Sequence, residues 1–142
     1  MTLELRARTP QQVRQEWGWI RNGLLAIIER TREQWLPEDV WQSLQAGHSF
    51  LWVVHKDGDD VGFVVLRKDA DHDGPVLFIW ICWTEPQVLT DCHATLIERL
   101  DEIAARIGAK RVRFQSPRAG WRGFEDYFAA VQTVFEREVS HE

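Results

Sequence analysis

Cys92 and His93 stand side by side near the start of a segment with helical patterning, where a thiolate would be favoured. Adjacent helical residues point about 100° apart, so the imidazole does not face the sulfur, and nothing else completes a nucleophilic triad. Asp71-His72-Asp73 offers metal-type ligands, but a polar turn is the usual home of such residues and no second ligand cluster accompanies them. Lys110, Arg111, Arg113, Arg118 and Arg122 form one basic stretch with no acid between Lys110 and Arg122. It could hold a phosphate or an acidic partner surface, or serve simply as a solvated face. Five charges give only weak, salt-sensitive attraction to nucleic acid, so nucleic acid is not an expected partner. Tyr127 is the single tyrosine, a phenol able to donate a proton or to pack its ring.

These residues must be positioned by a small scaffold. A length of 142 residues fits one domain, 1–142, and a net charge of −5 argues against a surface built throughout to grip nucleic acid. The longest apolar run, Val76–Trp83, falls far short of the ~20 residues of a membrane-spanning helix. Met1–Arg8 carries no apolar signal-peptide core, and two cysteines make neither a disulfide framework nor a zinc site. The expectation is a soluble intracellular protein with no membrane or metal partner. Eight tryptophans are unusual. Trp80 and about half of the others are expected in the core, and the alternative is a sticky surface for a partner.

The pattern predicts a strand over Thr2–Arg6, then a helix opened by Thr9, Pro10 and Gln12 as a capping box. Val13, Trp17, Ile20, Leu24 and Ile27 make its apolar face, with Gly18 and Gly23 expected to bend or split it. A shorter helix runs from Pro37 to Gly47 with Val40 and Leu44 inward. Strands over Phe50–His55 and Val61–Leu66 flank a glycine-containing loop. After a polar turn at Asp69–Gly74, Pro75–Thr84 reads as a strand apolar on both faces. Thr90 is the expected cap of a helix with Leu96, Leu100, Ile103 and Ile107 inward, stopped by Gly108. Lys110–Gln115 reads as a half-buried strand, Trp121–Ala130 as a short helix and Gln132–Val139 as a last strand. The fold class is α+β: a single mixed, mostly antiparallel sheet flanked by helices.

That order of elements resembles the GNAT (Gcn5-related N-acetyltransferase, acyl-CoA N-acyltransferase-like) fold over nearly the whole chain. Arg118-Ala119-Gly120-Trp121-Arg122, then Tyr127, then Phe135–Val139 look like the short GNAT-like proteins of tailed bacteriophages. The resemblance implies Tyr127 as general acid. Glu85, at the end of the fourth strand, is the best-placed carboxylate for a general base. Cofactor contacts would fall at Ile81, Cys82, Trp83, Asp91 and Cys92. Acetyl-CoA-binding members carry an R/Q-x-x-G-x-G/A loop after the fourth strand, whose backbone N–H groups hold the pyrophosphate. Thr84–Cys92 departs from it: there is no glycine, Pro86 lacks a donor, and Glu85 and Asp91 would repel a phosphate. The expectation is therefore a non-catalytic interaction module with no cofactor. Arg118, Trp121 and Arg122 would be its partner-binding residues, and phage structural proteins or a second copy its partners. Its place would be the cytoplasm of an infected host or the virion. The alternative is an acetyl-CoA-dependent N-acetyltransferase with an altered cofactor loop.

Overall fold

The computed structural model describes residues 2–31, 33–115 and 137. The expected final helix and strand, 121–130 and 132–139, lie almost entirely outside these residues. Among the described residues five strands form one sheet in the order β1 (Leu3–Arg8), β2 (Phe50–Lys56), β3 (Asp59–Asp71), β4 (Gly74–Thr84) and β5 (Arg111–Phe114). The first four pair antiparallel and β5 pairs parallel to β4. A parallel partner needs a long crossover, supplied here by the helix α4 (Val88–Arg106).

Each sheet face buries its own core. Val54, Val64, Leu66, Leu77 and Ile79 pack with Cys92, Leu96, Leu100 and Ile103 on the α4 side. Leu51, Val53, Phe63, Val65 and Ile81 pack with Val13, Ile20, Leu24, Val40 and Leu44 on the other. Those last residues come from α1 (Pro10–Gln15), α2 (Trp17–Arg30) and α3 (Pro37–Ala46). The Thr9–Gln12 capping box forms: the Gln12 N–H donates to Thr9 Oγ1 at 3.2 Å, and the Thr9 N–H donates to Gln12 Oε1 at 2.9 Å. Gly47 ends α3 in the left-handed conformation, φ 78°.

Several boundaries differ from expectation for local reasons. The first helix divides at Glu16, not at a glycine, and the Arg8–Glu16 ion pair (2.7 Å) ties that corner to β1. The long ladder with β4 carries β3 through Asp71, so only His72 and Asp73 remain in the expected turn. Helix α4 begins at Val88, two residues before Thr90; Gln87 takes the cap position with φ 74°.

Tryptophan placement also differs. Of the seven described tryptophans only Trp35 is buried, and Trp80 is half-buried. Branched aliphatic side chains fill the sheet interior, and the wide indoles close its rim. The Trp80 ring meets Trp35 edge-on at 6.5 Å and lies under the Arg67 guanidinium at 4.6 Å.

Gly23 is set by packing: a Cβ there would lie 2.6 Å from a Phe63 ring carbon and 2.9 Å from Trp83. Gly23→Ala is therefore expected to cost about 1–3 kcal/mol through overpacking, despite alanine's better helix propensity. A thermal midpoint several degrees below the parent is the expected readout.

Candidate functional site

The sheet is irregular at the carboxyl end of β4. Leu66 pairs with Ile79 and Val65 with Ile81, leaving Trp80 as an extra residue. Side-chain alternation breaks there: Ile79 packs on the α4 side, whereas Trp80 and Ile81 both pack on the α1–α3 side. Such a bulge bends its strand and strengthens the local twist. The ladder to β5 covers Val76–Ile79, so among the described residues Ile81–Thr84 are paired on the β3 side alone. A second irregularity falls at Val61 on β3, since Val54 pairs with Gly62 and His55 with Asp60.

The turn after β4 is short. The Glu85 N–H donates to the Val61 carbonyl at 2.8 Å, Pro86 follows, and Gln87 adopts a left-handed backbone that normally favours glycine. The Gln87 side chain makes no cap bond to α4; the Val88 N–H donates to the Glu85 carbonyl at 3.3 Å and the Asp91 N–H to the Gln87 carbonyl at 2.9 Å. Val88 buries its side chain, while Glu85 and Asp91 are exposed.

The expected cofactor residues divide by face. Ile81 and Cys92 are buried, each at 2% exposure, so their side chains belong to the two cores. Trp83 is half-buried, 5.5 Å from Phe63 and 5.7 Å from Trp19 between ring centroids. Cys82 points to the α4-side core, where burial pushes its thiol up to about 12, which removes it as a thiolate nucleophile near neutral pH. The His93 Nδ1 lies 3.1 Å from the Thr90 carbonyl. Tyr127, Arg118, Trp121 and Arg122 lie outside the described residues.

Across the sheet from α4, beside the same end of β4, an open cleft of about 370 Å³ is lined by Gln15, Glu16, Gly18, Trp19 and Asp60. Arg8 joins its two carboxylates, at 2.7 Å to Glu16 and 3.6 Å to Asp60. The His55 Nδ1 lies 2.8 Å from the other Asp60 oxygen. Sequence reasoning missed this group. Glu16 is not singled out by the sequence, and Asp60 falls in the expected glycine-containing loop, whereas it lies in β3; the helix break at Glu16 and the Val61 irregularity bring them together.

No family model matches the sequence, and no curated protein is similar to it. Solved structures do match. A ribosomal-protein-alanine N-acetyltransferase from Brucella melitensis biovar Abortus 2308 superposes with a TM-score of 0.69 at 14% identity, over 99% of this chain and all of that one. A GCN5-related N-acetyltransferase from Ralstonia eutropha JMP134 gives 0.70 at 12% identity, over 97% and 99%. The chain has the GNAT acetyltransferase fold. A predicted acetyltransferase from Clostridium acetobutylicum, solved with acetyl-CoA, gives 0.66 at 15% identity over 96% of both chains. Identities this low carry the GNAT fold and not an activity.

Within this GNAT fold two arginines of the basic stretch, Arg111 and Arg113, pair with the Asp71–His72–Asp73 turn. Arg111 holds the Asp71 carboxylate with Nη2 (2.7 Å to Oδ2) and reaches Asp73 at 3.3 Å; Arg113 reaches Asp71 at 3.1 Å. Two guanidiniums thus occupy the carboxylate that a metal would need, and the β3–β4 turn is clamped to β5. The Asp73 backbone N–H, with Arg113 and Arg111, holds the Asp71 carboxyl below its ordinary 3.8. Its folded value lies below the unfolded one, so the clamp stabilises above about pH 4 and fades as pH falls through the folded value. Asp71→Asn should therefore lower the denaturation midpoint slightly at pH 7, and the gap from the parent should close in acid. At the other turn, Gln87→Gly should raise stability by about 1 kcal/mol in the same melts by relieving the left-handed strain.

Proposed function

We propose that this chain is an N-acetyltransferase that takes acetyl-CoA along the carboxyl end of β4, beyond its described ladder with β5. The observation that carries the reading is the strand end itself: bulged at Trp80, paired among the described residues on the β3 side alone from Ile81 to Thr84, and leading into α4, whose Gln87 side chain makes no cap bond. A pantetheine arm bears amides at strand-like spacing and can bond such an edge as an added strand does. The dipole at the N-terminus of α4 favours an anion. Pro86, the buried Val88 side chain and the carboxylates of Glu85 and Asp91 work against a pyrophosphate there, so the arm contributes most of the affinity.

Bound acetyl-CoA supplies the acyl group as a thioester. In the transfer a carbon–nitrogen bond forms, the carbon–sulfur bond breaks, the amine loses a proton and the departing thiolate gains one. Glu85, exposed at the strand end, is the proposed acceptor of the amine proton, and Tyr127 the proposed donor to sulfur. The likeness to solved acetyltransferases supports this reading over a phage assembly module, for which the comparisons offer nothing. What favours the module is the glycine-free, acidic turn, and its contact residues would be Arg118, Trp121 and Arg122.

Calorimetric titration with acetyl-CoA separates the two. The transferase reading expects a dissociation constant of roughly 10–300 µM, about −7 to −5 kcal/mol. Glu85→Gln should leave that constant nearly unchanged and slow amine-dependent thiol release about a hundredfold. Absence of binding at 1 mM would leave the interaction module as the better account.

A further inference from the structure

Strand β1 is the outer strand of the described sheet, and no described strand pairs with its far side. The hydrogen bonds at its start fix which way its main chain points. The Asp57 N–H donates to the Thr2 carbonyl at 3.0 Å, so that carbonyl points at β2. Along an antiparallel ladder, residues that exchange bonds with their opposite number alternate with residues that turn away. The register between β1 and β2 is unbroken from Leu3↔Lys56 to Arg8↔Leu51. Glu4, Arg6 and Arg8 therefore bond to β2, while Leu3, Leu5 and Ala7 turn their N–H and C=O groups outward. The Leu3 carbonyl shows this directly, since it accepts from Nε of Arg99 on α4 at 3.1 Å.

Edge strands are often blunted by a proline, a bulge or a charge pointing inward. β1 has no proline and no register shift, and its leucines pack with the α4-side core. Its charges stand on the other face. Glu4 and Arg6 are both exposed there and pair with each other at 3.2 Å.

The order of those charges selects a partner. Antiparallel pairing of two such strands about Leu5 sets Leu5 opposite its own copy and Leu3 opposite the second copy's Ala7. Every outward main-chain group then pairs, the Leu3 carbonyl using the lone pair that Arg99 leaves free. In this register Glu4 of each copy stands against Arg6 of the other, at the positions where facing side chains approach most closely. Slipping by two residues opposes Glu4 to Glu4 in one direction and Arg6 to Arg6 in the other, which like charge disfavours. We propose that the outer edge of β1 binds the same edge of a second copy, joining the two sheets across a two-fold axis at Leu5. The interface is isologous, so assembly closes at two chains. The proposal stands independently of the transferase reading.

Sedimentation velocity of the full chain tests it. An interface of one strand pair is small, so a dissociation constant of roughly 10–100 µM is expected. The mass should rise from 16.7 kDa toward twice that value as concentration passes through this range. Glu4→Arg and Arg6→Glu each set like charges face to face, and each should weaken self-association at least tenfold. An equimolar mixture of the two variants restores opposite charges at both positions and should dimerise as the parent does. Ala7→Pro removes an outward N–H that makes no bond to β2, so it should abolish association while its melting midpoint at high dilution stays near the parent's. If Ala7→Pro melts early, the charge-swapped mixture decides alone. A parent that stays monomeric at about 500 µM overturns the proposal, given the expected affinity. So does association that a folded Ala7→Pro leaves intact, or a mixture that regains nothing over its two components.

Discussion

A strand that is apolar on both faces cannot leave its main chain unpaired in a dry interior, because each buried unpaired backbone group costs free energy comparable to a lost hydrogen bond. β4 is such a strand, and the described pairing satisfies it on both sides only as far as Ile79. The extra residue at Trp80 reverses the alternation there. It sends Ile81 and Trp83 to the α1–α3 side and returns Cys82 to the α4 side. The placement of Ile81, Cys82 and Trp83 between the two cores follows from this one irregularity.

Around it the helices are fixed by close approach more than by propensity. Gly23 lets α2 settle against Phe63 and Trp83, and Trp19 closes the gap beside them. The Arg8–Glu16 pair then holds the break between α1 and α2 over the same end of the sheet. Such a pair contributes little to stability where water reaches it, so its main consequence is geometric: it decides where the cleft lies.

The opposite end of the β3–β4 ladder is held by charge. Arg111 and Arg113 close on Asp71 and Asp73 across 38 to 42 residues of sequence. That clamp keeps β5 beside β4 at Val76–Ile79. It also accounts for two of the five charges in a basic stretch that, read along the chain, resembled a phosphate or partner site.

The sequence by itself determined the local elements, since their signals act over a few residues. The Thr9–Gln12 box, Pro37, Gly47 and the inward face of α4 all work within one or two helical turns. Together with the order of elements they sufficed to indicate the GNAT fold. Tertiary structure decided whatever depends on two faces meeting. Trp80 looked interior from its apolar neighbours, but its burial depends on what covers the sheet edge. Glu85 and Cys82 were legible as neighbours on the chain; that one is exposed and the other presses into a core follows from the twist past the bulge. Glu16 and Asp60 carried no signal at all, because 44 residues separate them and only the helix break and the Val61 irregularity bring both to one cleft.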